Sequence, residues 1–357
     1  MTYQELLEIE PYQTDQAQKE EWFCGMFDEL CDWHSRNCEA YQKMLRVQAV
    51  PEHFTRPEQI PMVPVQLFKE RELRSIPQEE VFKEVRSSGT TGSAASRIFL
   101  NEEVATCQQM TLYRILQDYL GKKRVPMLII DSPDVLKNRA MFSARGAGIL
   151  GFSVCSSKRV YALDENMQVR WDVIEQFEKD YGEQPVLLFG FTFMIWKYFY
   201  RQLEKEGKQL HLTRGVLFHG GGWKKMQAEA VSKEIFNKSL KERTGVRNVY
   251  DYYGMAEQTG CIYVECEYGH LHASLYSDVI IRASDDFHPC GIGEEGMIQV
   301  LSPMAKSYPG HSILTQDMGI LRGVDDCPCK RKGKYFDITG RIRHSSVRGC
   351  SDTYEGQ

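Results

Sequence analysis

PVLLFGFTFMIWKYFYRQLEKEGKQLHLTRGVLFHGGG, residues 185–222, reads as strand, helix, strand and glycine turn. Pro185–Gly190 is an apolar run of strand length, Phe191–Gly207 is apolar at helical spacing, and Gly215–Gly222 is apolar again and closes on three glycines. The same alternation continues on both sides. VPMLIID (Val125–Asp131) is strand-like and Met167–Tyr181 helical before it, while Met226–Gly245 is helical and NVYDYYG (Asn248–Gly254) strand then turn after it. Strands alternating with helices through glycine turns predict an α/β fold with a mostly parallel sheet flanked by helices. Ligands of such sheets collect at the carboxyl ends of the strands, where these glycines fall.

Beyond Gly260 helical periodicity stops, and short runs such as CIYVE, DVIIRA and GMIQVLS predict a β-rich subdomain. Towards the N-terminus, Trp22, Phe23, Met26, Phe27, Leu30 and Trp33 recur at helical spacing, and Pro51, Pro57, Pro61 and Pro64 break the pattern. In chain order this gives an N-terminal helical cap (1–65), an α/β core (66–260), a β-rich subdomain (261–340) and a short tail (341–357).

The chain has 357 residues, with 44 Lys+Arg against 49 Asp+Glu and a net charge of −5, so nucleic acid is not an expected partner. Its longest apolar stretch, Val186–Trp196, is well short of the ~18 to 20 residues that span a bilayer, and the opening MTYQELLEIEPYQ is acidic. The expectation is a cytoplasmic protein with no membrane span. Eleven cysteines in this length read as reduced thiols, with room for a metal site or a nucleophile. Cys24, Cys31 and Cys38 lie seven apart, about 10.5 Å per step on a helix, which is packing distance and not ligand distance.

RSSGTTGS (Arg86–Ser93) stands between the apolar-alternating Val81–Val85 and the strand-like RIFL of Arg97–Leu100. Glycines and hydroxyls at this density free the backbone to offer N–H and O–H donors to phosphate. No Gly-Lys-Ser/Thr follows, so it is not a Walker loop, and taken alone it equally reads as a polar hairpin turn. Cys261, Cys266, His270, His272, Cys290, Cys327 and Cys329 crowd the β-rich region. ECEYGHLH (265–272) and DCPCKRKGKY (326–335) offer two pairs of soft ligands, and Cys266, His272, Cys327 and Cys329 are the preferred set for a structural Zn²⁺; the alternative is free thiols in turns.

SSGTTG (Ser87–Gly92), YGMAEQTG (Tyr253–Gly260), TQD (Thr315–Asp317) and ITGR (Ile338–Arg341), in this order, resemble the core motifs of the adenylate-forming enzymes. YGMAEQTG, ECEYGHLH, SYPGHSILTQD (307–317) and RGCSD (348–352) more narrowly resemble the LuxE family of acyl-protein synthetases, close to the phenylacetate-CoA ligases. The likeness runs from about Phe68 to Tyr354. It implies a large adenylate-forming domain of the N-terminal type, with ATP and Mg²⁺ as cofactors. Ser87, Ser88, Gly89, Thr90, Thr91, Gly92 and Ser93 would then hold the β- and γ-phosphates, Gly220, Gly221 and Gly222 would pack against adenine, and Tyr253 and Gly254 would wall the adenine and the carboxylate. By the same resemblance Glu257 is the Mg²⁺ carboxylate, Asp317 binds the ribose hydroxyls and Arg341 is the basic residue of the hinge motif.

The family's loop lysine is replaced here, Arg97 being nearest, and the sequence stops 16 residues after Arg341, where full-length relatives carry a further lid domain with a catalytic lysine. The lid is therefore expected to be absent, with Lys224, Arg343 and His344 as candidate substitutes. The implied reaction activates a carboxylic acid, expected to be fatty, as acyl-AMP and passes the acyl group to a thiol. Cys350, preceded by Arg341, Arg343, Arg348 and Gly349, is the expected acceptor, since guanidinium groups favour the thiolate. From Arg341 an extended tail reaches roughly 30 Å at ~3.4 Å per residue. The resemblance further implies delivery to an acyl-CoA-reductase-like partner protein. The alternatives are a ligase acting on coenzyme A or a carrier protein, and a non-catalytic nucleotide-binding subunit. LFGFTFMIWKYFY (188–200) reads either as a wall for an apolar acid or as a buried core helix.

Overall fold

The computed structural model describes residues 1–87, 95–137 and 144–342. Of these, Met1–Ile115 and the residues from Gly254 onward form one compact unit, and Leu116–Tyr253 forms a second. The grouping crosses chain order: the N-terminal helices belong with the β-rich segment.

The first unit begins with β1 (Val63–Pro64), β2 (Lys83–Arg86) and β3 (Arg97–Leu100). β2 and β3 pair antiparallel, so the strands that frame the Ser/Thr/Gly loop form a hairpin. The second unit holds β4 (Val125–Ile129), β5 (Ser156–Tyr161), β6 (Val186–Phe191), β7 (Gly215–Gly220) and β8 (Asn248–Tyr253). All four pairings among them are parallel, in the order β8-β7-β6-β4-β5. The expected mostly parallel sheet with helices between its strands is thus present. β4 and β6 are buried along their whole length, as their unbroken apolar runs require.

Leu188, Ile195, Trp196, Phe199 and Tyr200 pack with Leu217, Phe236 and Leu240, so this run is core. Its helix spans Thr192 to Lys205 and widens to a π-helix over Ile195–Tyr200. Two helix starts differ from the sequence reading for local reasons. The Asp164 carboxylate accepts from the N–H groups of Asn166 and Gln168 and Met167 sits at φ 59°, so the helix expected from Met167 begins only at Trp171. Met226 lies in a short 3₁₀ stretch, and a new helix, Lys233–Thr244, starts where the Ser232 hydroxyl accepts from Ile235 N–H.

The first unit resumes with β9 (Tyr263–Glu265), β10 (Leu271–His272), β11 (Asp278–Arg282), β12 (Glu295–Leu301), β13 (Ser312–Val324) and β14 (Lys334–Arg341). Their order is β11-β12-β13-β14-β10-β9, antiparallel throughout, with β1 added in parallel on β13. The N-terminal helices Gln16–Asn37 and Glu39–Leu45 are tied to these strands by buried polar groups. Lys19 and Lys334 both pair with the buried Asp278, at 3.4 and 3.0 Å. His34 stacks on His311 at 4.8 Å, and the Cys31 thiol and Tyr41 hydroxyl lie 3.3 and 3.1 Å from His311 Nε2. Cys24, Cys31 and Cys38 are all buried, as their spacing predicted.

Burial holds His311, His34 and His219 neutral. It pushes His311 down to about 3 and His34 well below its ordinary value, the latter helped by the neighbouring His311; in the second unit burial, with Lys233, takes His219 to about 3. The unfolded chain binds these protons near pH 6.5 and the folded one does not, so stability must fall as pH drops below that value. Each histidine should cost on the order of 1 kcal/mol at pH 5.5 relative to pH 8. Urea unfolding at pH 8, 6.5 and 5.5 should show this decline, and a flat profile would contradict it.

Candidate functional site

Glu257 sits on a single 3₁₀ turn, Ala256–Gln258, and is only 4 % exposed. Neighbours explain the composition of its motif. Gln258 Nε2 donates to the Gly310 carbonyl at 3.0 Å, and a Cβ on Gly310 would stand 2.8 Å from the Glu257 carbonyl oxygen. Gly260 has φ 87°, and a Cβ there would lie 2.4 Å from the Gln108 carbonyl. Burial raises the pKa of the Glu257 carboxyl, while the Ser96 hydroxyl, the Glu257 backbone N–H and Lys69 pull it down without cancelling the rise. Ser96 closes the base of the Ser/Thr/Gly loop: its N–H donates to Ser87 Oγ at 2.9 Å, and Ser87 N–H donates to its carbonyl at 3.1 Å. Ser88–Ser93 lie outside the described residues.

Asp317 and Arg341, read separately in the sequence, are cross-strand partners on β13 and β14, and Arg341 Nε donates to Asp317 Oδ1 at 2.7 Å. Thr315 fixes the backbone between them and β12: its hydroxyl donates to the Ile298 carbonyl at 2.8 Å and accepts from Asp317 N–H at 3.1 Å. Cys266, His272, Cys327 and Cys329 are also brought together, with ligand atoms all within 4.8 Å of one another.

In the second unit, Gly220 ends β7, Gly221 takes φ 69°, and Tyr253 ends β8. A Cβ on Gly220 would stand 2.6 Å from the Tyr252 ring, so the small residue is required by packing alone. Gly254 opens the next segment of the first unit, where a Cβ would meet Ile262 at 3.0 Å. Lys224 opens the 3₁₀ stretch Lys224–Glu229, whereas Arg343, His344 and Cys350 are outside the described residues. Sequence reasoning missed Ser96, whose only signal is its position between the loop and β3. It also missed the buried ion pair of Asp131 with Arg145, in which Nε donates to Oδ2 at 2.9 Å just beyond β4.

The chain matches the family described as "Acyl-protein synthetase, LuxE" over residues 3–357. It belongs to the LuxE family. Relatives in this family include the long-chain-fatty-acid–luciferin-component ligases of Aliivibrio fischeri and Vibrio harveyi, each 22% identical over 89% of this chain, covering 84% and 83% of those proteins. Among solved structures, an open conformation of a 2-hydroxyisobutyryl-CoA ligase in complex with its acyl-AMP and CoA superposes with a TM-score of 0.70 at 14% identity, over 93% of this chain and 77% of that one. That likeness shows the fold of an adenylate-forming ligase for this LuxE-family chain. No helix among the described residues is long and apolar enough to cross a membrane.

Because burial disfavours the charge on Glu257, Glu257→Gln should melt at the same temperature as the parent chain or a higher one at pH 8. A loss of several degrees would show that the carboxylate is a structural ion and not a group held ready for a cation.

Proposed function

We propose that this LuxE-family chain activates a carboxylic acid, a long-chain fatty acid foremost, with ATP, and transfers the acyl group to its own Cys350. The observation that carries this reading is the Asp317–Arg341 pair in the same unit as a buried carboxylate, Glu257, in a chain that matches the family throughout. A carboxylate accepting from ribose hydroxyls is an established sugar-reading device, and Arg341 orients Asp317 for it. Glu257 would hold Mg²⁺, since a hard dication takes carboxylate oxygen and would supply the counter-charge that burial denies this side chain; when bound it neutralises phosphate charge. The Ser87–Ser93 loop would hold the β- and γ-phosphates, Gly220, Gly221, Gly222, Tyr253 and Gly254 the adenine.

In the first step a carboxylate oxygen of the acid attacks the α-phosphorus of ATP, and the bond to the β-phosphate oxygen breaks to release pyrophosphate. In the second the Cys350 thiolate attacks the acyl carbon and AMP leaves, so the tail carries a thioester that a reductase-type partner would collect in the cytoplasm.

Carboxylate-dependent ATP–pyrophosphate exchange across acids of increasing chain length tests the first step. Exchange should appear with long-chain acids and fall about 100-fold or more in Glu257→Gln; no exchange with any acid would refute adenylation. Cys350→Ser should keep exchange but lose hydroxylamine-sensitive labelling by radiolabelled acid and ATP. Undiminished labelling would send the acyl group elsewhere, with coenzyme A or a carrier protein as the acceptor to examine.

A further inference from the structure

The adenylation reading leaves one cluster unused. Cys266 opens the turn after β9, His272 lies on β10, and Cys327 and Cys329 occupy the turn between β13 and β14, so the turns bring four soft ligands together. Cys266 and Cys327 Sγ are 3.9 Å apart, and Cys329 Sγ is 3.4 Å from His272 Nε2. A tetrahedral ion with Zn–S of about 2.3 Å and Zn–N of about 2.0 Å has edges of about 3.8 Å between sulfurs and about 3.5 Å between sulfur and nitrogen. These two separations match those edges, and all four ligand atoms lie within 4.8 Å of one another. A disulfide is excluded at this spacing, which is nearly twice the ~2.05 Å of an S–S bond.

The backbone around the sulfurs makes a second, independent case. Arg331 N–H donates to Cys329 Sγ at 3.5 Å, the Cys329 N–H serves Cys327, and the Tyr268 and His270 N–H groups serve Cys266. Amide donors aimed at each sulfur stabilise thiolates and orient them, as the outer shell of a metal site does. Each turn closes through a residue at positive φ that donates back to a cysteine carbonyl: Gly269, at φ 84°, to Cys266 and Lys330, at φ 69°, to Cys327, both at 2.9 Å. The His272 ring is fully buried and held by stacking on Tyr335 at 5.4 Å and by the edge of Tyr12.

We propose that Cys266, His272, Cys327 and Cys329 bind one Zn²⁺ in a closed tetrahedral site that fastens the β9–β10 turn to the β13–β14 turn. Three sulfurs and one imidazole select zinc among common divalent ions, and four protein ligands leave no position for water, so the ion is structural and not catalytic. The clipped turn also receives the N-terminal segment: Lys332 N–H donates to the Tyr12 carbonyl at 2.9 Å, and the Arg331 guanidinium lies 5.5 Å over the Tyr12 ring. The inference is independent of which acid the enzyme activates.

Protein purified without chelator should contain about one zinc per chain, and the Cys327→Ser, Cys329→Ser double variant should contain none. Because that variant can fail to fold, the decisive measurement uses the unaltered chain with its metal exchanged for Co²⁺. The result expected is intense tetrahedral ligand-field absorption with thiolate-to-cobalt charge transfer, together with a lowered melting temperature in the metal-free protein. Absence of zinc with no cobalt spectrum, a six-coordinate cobalt spectrum, or zinc retained by the folded double variant would each overturn the assignment.

Discussion

The register of β13 against β14 is the constraint on which the first unit depends. Asp317 faces Arg341 at one end of this hairpin and Val324 faces Lys334 at the other, yet the pairing shifts twice in between. Thr339 is the extra residue on β14 and Arg322 the extra residue on β13, so the two bulges cancel. A single uncompensated bulge would move every later side chain to the opposite face and part Asp317 from Arg341. Glycine makes both irregularities possible: a Cβ on Gly319 would stand 2.7 Å from the Asp337 carbonyl, and one on Gly323 would stand 2.5 Å from Asp326 Oδ1 and the Tyr335 hydroxyl. The extra Arg322 is held in turn, its Nε donating to Asp337 Oδ2 at 2.6 Å.

The same hairpin gathers most of the chemistry of its unit. Its turn carries Cys327 and Cys329, and its far end carries the Asp317–Arg341 ion pair. Buried Lys334 near its turn shares Asp278 with Lys19 of an N-terminal helix. Burial alone would push the Asp278 carboxyl up, but Lys19 and Lys334 outweigh it and hold it below the usual carboxylate range. Glu257 is the contrasting case, a buried acid whose neighbours do not offset burial. One carboxylate is neutralised by neighbouring lysines; the other is buried with its charge disfavoured, which is what the proposed Mg²⁺ role calls for.

Sequence carried the periodic features well, because strand and helix periods survive whatever the tertiary context. The parallel strands of the second unit and the β character of the described residues beyond Gly260 follow from runs such as PVLLFG and DVIIRA. That Cys266, His272, Cys327 and Cys329 come together was legible from residue type and from their placement on two turns. What escaped was long-range or idiosyncratic. No local pattern announces that two bulges cancel to bring Asp317 to Arg341, or that His34 will stack on His311. Met167 failed as a helix start because one aspartate bonds the backbone ahead of it. LFGFTFMIWKYFY could be core or ligand wall by composition, and only its packing against Leu217, Phe236 and Leu240 separates the two.

The central claim is that Asp317 and Arg341 act as one device for holding the nucleotide. A double-mutant cycle on ATP affinity, measured by calorimetry for Asp317→Asn, Arg341→Gln and the pair together, tests it most directly. Each single change should weaken binding by about 10-fold or more, with the double variant no weaker than the worse single one, because either change breaks the same unit. Losses that simply multiply, or ATP binding that is indifferent to both, would contradict the account.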